Sequence, residues 1–216
     1  METIKIILAD DHILLRNSLT LLIQSFGGYE IIGLAANGKE VIQLLEAGNM
    51  PQLIVLDLSM PVMDGYETAQ ILKEKYPQIN ILILTLYGSE LVFLRLLKLG
   101  VKGILQKDID NAGFEKALLL VSNSQYYYSD ADVDTLFCIA NNRNGPAQKN
   151  MLNDIEIEFL RLSSSDLMYK EIADKMNVAP RKIDHLRDNL FEKLEVKSRV
   201  GLAMYAVKNG LVFLDN

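Results

Sequence analysis

The sequence contains few residues able to form covalent cross-links or zinc sites. Cys138 is the single cysteine among 216 residues, which excludes an intrachain disulfide and fits a reducing compartment. The two histidines, His12 and His185, have no second histidine or cysteine near them in the sequence. Neither is therefore expected to bind a metal such as zinc.

Long hydrophobic runs are also missing. No apolar stretch free of charge is long enough to predict a membrane span. The first residues, METIKIILADDH, carry acids where a signal peptide would need a longer apolar core and a cleavage site. Together with the single cysteine, these features lead us to expect a cytoplasmic protein with no membrane partner.

No segment is strongly basic. The net charge is −6; residues 1–130 hold 10 basic and 15 acidic side chains, and residues 151–216 hold 10 and 11. Any nucleic-acid binding must therefore come from a local patch rather than from the overall charge.

Half of the residues are hydrophobic, and in the first part of the chain they alternate between strand-like and helix-like patterns. The predicted strands are residues 3–9, 29–35, 53–56, 79–84 and 103–105. The predicted helices between and after them are residues 13–26, 39–47, 65–75, 89–99 and 112–122. This alternation predicts an α/β fold, a doubly wound five-stranded parallel sheet.

Polar residues follow the ends of these strands. Asp10 and Asp11 end the first strand, Asp57 the third and Thr85 the fourth, and Lys107 follows the fifth. The carboxyl ends of parallel strands meet at one edge, so these side chains can converge. Three carboxylates held close together repel one another unless a divalent cation joins them, and hard oxygen ligands favour Mg²⁺. The sequence thus predicts a carboxylate at Asp57 that can be phosphorylated, with Mg²⁺, Thr85 and Lys107 stabilising the developing charge.

Residues 3–122 resemble the receiver domain of two-component response regulators, a flavodoxin-like fold. The matching elements, in order, are Asp10–Asp11, LIVLDLSMP with Asp57, Asp64–Gly65, Thr85 and Lys107. The resemblance implies phosphotransfer to Asp57 from a sensor histidine kinase. It also implies that Asp11 and Asp57 ligate Mg²⁺ directly, that Asp10 acts largely through water, and that Ser59 offers its backbone carbonyl.

One position departs from this family. Its members usually carry Tyr or Phe three residues before the lysine, coupled to the Thr or Ser, and this chain has Ile104 there. Tyr87, two residues after Thr85, is a candidate substitute in the switch; the alternative is an ordinary loop tyrosine.

A connector is predicted between two domains. We place the receiver at residues 1–124, a linker with a short helix over residues 131–140 at 125–150, and a second domain at 151–216. The segment NNRNGPAQKN, residues 141–150, is rich in Asn with Gly and Pro, as exposed linkers are.

The last 66 residues have helical apolar spacing, with predicted helices at residues 154–162, 169–176, 180–194 and 198–208. Two helices joined by a short turn indicate a helix-turn-helix motif in a small all-α domain. The segment resembles the LuxR-type DNA-binding domain of NarL/FixJ response regulators. The matches are Leu152, Glu156, Lys170-Glu171-Ile172-Ala173, Val178, Ile183, Asn189, Lys193-Leu194, Val196 and Lys197-Ser198-Arg199.

The second helix of that motif departs from the family pattern. Lysine is frequent in the family where this chain has Asp184 and Asp188, and His185 lies between them. Aspartates on one helical face repel phosphate, although an aspartate can accept a hydrogen bond from cytosine N4. The residues predicted to contact DNA are Arg181, Lys182, His185, Lys197 and Arg199.

Three functions fit these observations. The first is a transcription regulator in which phosphorylation of Asp57 favours a homodimer that binds DNA. The second keeps the phosphorylation switch but gives the last domain a protein partner, because of Asp184 and Asp188. The third is a phosphohydrolase with an aspartyl-phosphate intermediate, disfavoured because such enzymes usually carry the nucleophile on the first strand. We expect the first, with no enzymatic activity beyond slow dephosphorylation.

Overall fold

A computed structural model describes residues 3–86, 88–128 and 152–212 of the chain. The chain divides into two compact units, the first built on a β-sheet and the second built on the C-terminal helices. Each unit has its own hydrophobic core.

The first unit contains a parallel sheet of five strands in the order β2-β1-β3-β4-β5. The strands are β1 Ile4–Ala9, β2 Tyr29–Ala35, β3 Leu53–Asp57, β4 Asn80–Thr85 and β5 Gly103–Gln106. The helices that alternate with these strands along the chain are α1 Ile13–Ser25, α2 Gly38–Glu46, α3 Gly65–Lys75, α4 Glu90–Lys98 and α5 Asn111–Ser122. The predicted doubly wound sheet is confirmed.

The central strands have their side chains buried on both faces of the sheet. All five residues of β3 and all six of β4 are buried, as expected where helices cover both faces of a parallel sheet. Leu53, Val55 and Leu82 pack with Phe114 and Leu118 of α5 in one cluster. This burial holds the strand ends, and the polar residues on them, in fixed positions.

Three strands, β3, β4 and β5, end one residue later than the apolar pattern predicted. Asp57 is the last residue of β3 and lies opposite Leu84 of β4, while Thr85 is the last residue of β4 and lies opposite Gln106. The backbone ladder continues although the side chains become polar. Both side chains are consequently held by the sheet rather than by a loop.

The edge of β5 is covered by a short segment that follows α5. Tyr127 forms an isolated parallel bridge with Gly103; Ile104 N donates to Tyr127 O at 3.2 Å, and Tyr127 N donates to Lys102 O at 2.9 Å. The ring of Tyr128 meets that of Phe93 edge-on, with centroids 5.3 Å apart. The two backbone hydrogen bonds of Tyr127 thus give partners to polar backbone groups at the edge of the sheet.

The predicted domain limits at residues 124 and 151 stay predictions. Tyr127, which they assign to the connector, is bonded to the sheet. The predicted helix over residues 131–140 and the linker at 141–150 lie outside the described residues.

Between residues 152 and 212, the described part of the second unit contains four helices. Its helices are α6 Asp154–Ser163, α7 Tyr169–Lys175, α8 Pro180–Lys193 and α9 Arg199–Lys208. Phe159, Ile172, Ile183, Leu190 and Leu202 form the centre of its core. The turn from α7 to α8 runs through Asn177 at φ 51°, a conformation that Asn tolerates, so the predicted helix-turn-helix is present.

Across the three described ranges, no helix combines the length and the apolarity that a membrane span requires.

Candidate functional site

Three strands bring a carboxylate or an ammonium group to the same edge of the sheet. Asp10 follows β1, Asp57 ends β3, and Lys107 follows β5. Asp10 and Asp57 are 0% and 2% exposed, and the side chain of Lys107 is 10% exposed. The predicted convergence of these residues is therefore present, in a position almost closed to solvent.

Lys107 bridges the two buried carboxylates. Its Nζ lies 2.9 Å from Asp10 Oδ2 and 2.8 Å from Asp57 Oδ2, both distances being those of ion pairs. The backbone N–H of Lys107 donates to Thr85 O at 2.9 Å, which ties the loop after β5 to the end of β4. One ammonium thus balances part of the charge that the fold has buried.

A group of possible metal ligands lies beside this bridge. Asp10, Asp11, His12 and Asp57 each offer one ligand atom, and these atoms lie within 4.8 Å of one another. The formal charges of the three carboxylates and of the Lys107 ammonium sum to −3 + 1 = −2, which a divalent cation would balance. The oxygen donors are of the kind that Mg²⁺ prefers, so the residues present fit this ion.

His12 was not expected in this group. Its Nδ1 lies 2.8 Å from Asp11 Oδ1 and 3.3 Å from Asp10 Oδ1. His12 has no histidine or cysteine near it in the sequence, but its neighbours in the fold are acids. In the sequence, the position of His12 directly after two aspartates could have indicated that it belongs to this group.

The ionisation of the site follows from burial and from the neighbouring charges. Burial raises the pKa of Asp57 from its ordinary 3.8 to about 6, and the nearby charge of Asp10 also raises it, while Lys107 opposes both effects. Burial acts to lower the pKa of Lys107, but the charges of Asp57 and Asp10 outweigh it and raise that pKa. Near neutral pH, Asp57 is therefore a carboxylate whose charge is only partly compensated.

Asp64 and Gly65 allow α3 to begin close to the end of β3. Asp64 caps α3 by accepting a hydrogen bond from Glu67 N at 2.8 Å. Gly65 N donates to Leu58 O at 3.0 Å, and a Cβ at Gly65 would lie 2.5 Å from Asp57 O. Only glycine allows α3 to begin this close to the strand end that carries Asp57.

Three other predicted receiver residues, Ser59, Thr85 and Ile104, are buried or half-buried. Ser59 N lies 3.4 Å from Asp57 Oδ1, a long hydrogen bond to the central carboxylate. Thr85 is 1% exposed at the end of β4. Ile104 is 8% exposed, lies on β5 opposite Ile83, and fills a buried position with an aliphatic side chain. Tyr87 lies outside the described residues.

Four of the five predicted DNA contacts are on the surface of the second unit. Arg181, Lys182 and His185 are exposed on α8, and Lys197 is exposed in the turn before α9. Arg199 differs, because its guanidinium donates from Nε to Ser163 O at 2.9 Å and from Nη2 to Ser165 O at 2.6 Å. Arg199 thus holds the start of α9 against the end of α6.

The two aspartates of α8 share one arginine as their partner. Arg187 Nη1 lies 3.0 Å from Asp184 Oδ1, and Arg187 Nη2 lies 2.8 Å from Asp188 Oδ1. The hydrogen bond between Arg187 and Asp188 is the main cause that raises the pKa of Arg187. The repulsive charge of this face is thereby partly neutralised.

The sequence matches two known families. Residues 6–119 match the response regulator receiver domain, and residues 150–206 match the bacterial regulatory proteins of the luxR family. The first match alone spans more than half of the chain, and it contains the whole site around Asp57.

Curated relatives match over nearly the full length. The chain is 31% identical to the nitrate/nitrite response regulator protein NarL of Escherichia coli strain K12 over 206 residues, covering 94% of this chain and 95% of NarL. It is 28% identical over 210 residues to the response regulator GacA of Pseudomonas protegens, covering 97% and 98%.

One similar solved structure is that of RcsB from Salmonella enterica serovar Typhimurium, bound to a promoter in the presence of the phosphomimetic BeF₃⁻. It aligns with this chain with a TM-score of 0.69 at 23% sequence identity, and the alignment covers 94% of this chain and 98% of that one. This likeness supports the fold of both units. The two family matches, the relatives and the site geometry agree: the chain belongs to the NarL/FixJ family of two-component response regulators, transcription regulators in which a receiver domain precedes a luxR-type DNA-binding domain.

Proposed function

We propose that Asp57 accepts a phosphoryl group from a phosphohistidine of a sensor histidine kinase, and that this phosphorylation controls DNA binding by the second unit. The single observation that carries the proposal is the position of the Asp57 carboxylate, 2.8 Å from Lys107 Nζ and grouped with Asp10 and Asp11. In the transfer, an oxygen of Asp57 bonds to phosphorus while the phosphorus–nitrogen bond breaks, and the departing imidazole nitrogen takes a proton.

Lys107 and Thr85 are assigned to the charge that builds up on the phosphoryl oxygens. Lys107 supplies an ammonium at the end of β5, and Thr85 supplies a hydroxyl at the end of β4. Thr85 is the last residue of a strand, and Lys107 is tied to it by the hydrogen bond from Lys107 N to Thr85 O, so both need little rearrangement when the phosphoryl group arrives. Slow hydrolysis of the aspartyl phosphate is the only reaction expected beyond this transfer.

Mg²⁺ is the proposed cofactor. Asp11 and Asp57 would bind it directly, Asp10 largely through water, and Ser59 through its backbone carbonyl. When bound, the ion would neutralise carboxylate and phosphoryl charge. Without the ion, the ammonium of Lys107 lies within ion-pair distance of both Asp10 and Asp57 and reduces the repulsion between their carboxylates.

The proposed output is a homodimer that presents two copies of α8 to a two-fold operator. Arg181, Lys182, His185 and Lys197 are the proposed DNA contacts on the exposed surface. Arg199 is retained as a candidate contact, although its two bonds to α6 assign it first to holding the domain together. The proposed location is the cytoplasm.

A protein partner for the last unit is not favoured. That alternative rested on Asp184 and Asp188, and both pair with Arg187. The luxR family match and the DNA-bound neighbour RcsB support a DNA-binding output instead.

The decisive experiment incubates the full chain with Mg²⁺ and a small-molecule phosphodonor such as acetyl phosphate. We expect the mass to increase by one phosphoryl group, on a bond that hydroxylamine cleaves, and we expect Asp57→Asn to abolish the increase. Asp108→Asn is the matched control, because Asp108 is an exposed acid next to Lys107. A modification that persists in Asp57→Asn would overturn the assignment.

The same samples test the output. Phosphorylated wild type should enrich a roughly two-fold-symmetric DNA site from a random pool more strongly than Asp57→Asn does. Equal enrichment by both would separate DNA binding from phosphorylation and contradict the proposed control.

A further inference from the structure

Helix α8 presents a definite set of side chains to its outer surface. Ile183 and Leu190 are 1% and 0% exposed and face the core of the second unit. The opposite stripe, at intervals of three and four residues, consists of Arg181, Asp184, His185 and Asp188, all exposed. In a helix-turn-helix domain, the N-terminal half of the second helix is the part that reaches base edges in the major groove. Asp184 therefore lies where bases are read, and Asp188 lies one turn further along the same exposed face.

These two carboxylates are fixed by a single arginine. Arg187 donates from Nη1 to Asp184 Oδ1 at 3.0 Å and from Nε to Asp188 Oδ1 at 2.9 Å. Its guanidinium also lies 5.5 Å from the centre of the Tyr169 ring on α7. The side chains of Asp184 and Asp188 nevertheless remain 57% and 62% exposed, whereas that of Arg187 is only 27% exposed. The carboxylates are held in place, and they face outward.

The charge of this surface does not exclude DNA. Arg181, Lys182 and Arg187 against Asp184 and Asp188 sum to +3 − 2 = +1. Exposed cations at the start of α8 can meet phosphates while the two carboxylates lie further along the helix. Phosphate contacts determine position and affinity, and groups that meet the base edges determine sequence.

The chemistry of a carboxylate restricts what it can read. An ionised aspartate only accepts hydrogen bonds. In the major groove, cytosine N4 and adenine N6 are the donors, whereas guanine N7 and O6 and thymine O4 are acceptors. A carboxylate held against guanine or thymine would leave two acceptors facing each other.

We propose that Asp184 and Asp188, held by Arg187, make this protein select base amino groups, cytosine N4 foremost, at two positions of each half-site. This inference rests on the proposed DNA-binding function and specifies its sequence preference. Arg187 is a positioning residue here: it orients the carboxylates and does not contact the bases.

The test uses the full chain with Mg²⁺ and beryllofluoride, in a binding selection from random DNA for wild type, Asp184→Lys and Asp188→Lys. We expect the wild-type site to contain two positions with cytosine strongly enriched. Each lysine variant should replace cytosine by guanine at one of them, because lysine donates to guanine O6 and N7. Both side chains are exposed, so the variants are expected to fold.

A modified base gives an independent readout. At each selected cytosine, replacement by 2-pyrimidinone, which lacks only the 4-amino group, should weaken wild-type binding roughly tenfold. The same replacement should leave binding by the corresponding lysine variant almost unchanged. An unchanged wild-type affinity would overturn the proposal.

Arg187 is tested by its effect on preference rather than on affinity. Arg187→Gln should broaden the base preference at both positions while leaving the dependence of affinity on salt unchanged. Arg181→Gln, the control, should keep the preference and reduce the salt slope by about one. A reduced salt slope in Arg187→Gln would make it a phosphate contact and contradict its positioning role.

The experiments distinguish a failure of the proposed DNA binding from a failure of the proposed base preference. If activated wild type binds no DNA even at low salt, the proposed function itself is wrong. If it binds a specific site that lacks enriched cytosine or adenine at positions affected by Asp184 and Asp188, only the present inference is wrong.

Discussion

Lys107 Nζ lies 2.8 Å from Asp57 Oδ2, so the ammonium after the last strand of the sheet is paired with the carboxylate that ends the middle strand. This contact neutralises part of the charge at Asp57. A metal ion or a phosphoryl group that binds at Asp57 must therefore compete with Lys107 or share it.

The stability of the metal-free protein should depend on pH through Asp57. Because burial raises the pKa of Asp57 to about 6 from 3.8, the folded state favours the neutral carboxyl. Stability from this group is complete below pH 4 and is lost as pH rises through 6, an effect of about 3 kcal/mol. Asp57→Asn should therefore gain stability relative to wild type at pH 8 but not at pH 4. Denaturant unfolding with a chelator present measures this difference, and Asp108→Asn should not show it.

Mg²⁺ affinity should fall in mild acid. Since the pKa of Asp57 is about 6, this ligand is ionised at pH 7.5 but largely protonated at pH 5. We expect binding to be roughly tenfold weaker at pH 5, because the ion must displace a proton. Isothermal titration calorimetry provides the measurement. Equal affinity at the two pH values would show that Asp57 does not ligate the ion.

Replacement of Lys107 should have opposite effects on metal binding and on phosphorylation. Lys107→Gln removes the cation that pairs with Asp10 and Asp57, so Mg²⁺ should bind more tightly. The same change removes a donor to the phosphoryl oxygens, so phosphorylation by acetyl phosphate should slow by roughly tenfold or more. Lys116→Gln, on the exposed surface of α5, should change neither quantity. Weaker Mg²⁺ binding in Lys107→Gln would contradict this account.

The close approach at Gly65 should matter to the site as well as to stability. A Cβ there would lie 2.5 Å from Asp57 O and 2.7 Å from Leu58 Cα, so Gly65→Ala should cost roughly 1–3 kcal/mol and displace Asp57. At Gly28, with φ +76° and nothing within 4 Å of a new Cβ, alanine should cost roughly 1–2 kcal/mol from the backbone alone. Both variants should unfold more easily, but only Gly65→Ala should lose Mg²⁺ affinity.

Arg199 and Lys197, two basic residues of the second unit, should have different roles that substitution can separate. Arg199→Ala removes two charge-assisted bonds to Ser163 O and Ser165 O and should destabilise the helical domain by roughly 1–3 kcal/mol. Lys197→Ala, at an exposed position, should leave stability unchanged and lower the salt slope of DNA binding by about one. Hydrogen exchange of α6 and α9 measures the first effect. Unchanged exchange in Arg199→Ala would mean that these bonds contribute little.

The apolar patterns along the chain were sufficient to predict both folds. Runs such as LIVL, residues 53–56, can be buried on both faces only in a sheet covered by helices, and the spacing of Ile183, Leu186 and Leu190 fits one face of a helix. These patterns act locally, through the period of each element. They placed most helices and strands to within one or two residues.

The order of acids, threonine and lysine after successive strands was also visible in the sequence, because parallel strands bring their carboxyl ends to one edge. Which groups pair there depended on tertiary structure. The distance from Lys107 to Asp10 and Asp57, and the inclusion of His12 in the acidic group, depend on the packing of separate strands and loops.

The same division applies to the second unit. The sequence alone placed Asp184 and Asp188 on one face of a helix, where their charges count against DNA. The folded helix brings Arg187 to both, and the contact between α9 and α6 turns Arg199 inward. A helical period predicts which residues share a face, but side-chain pairing across that face and between helices is decided by three-dimensional distance.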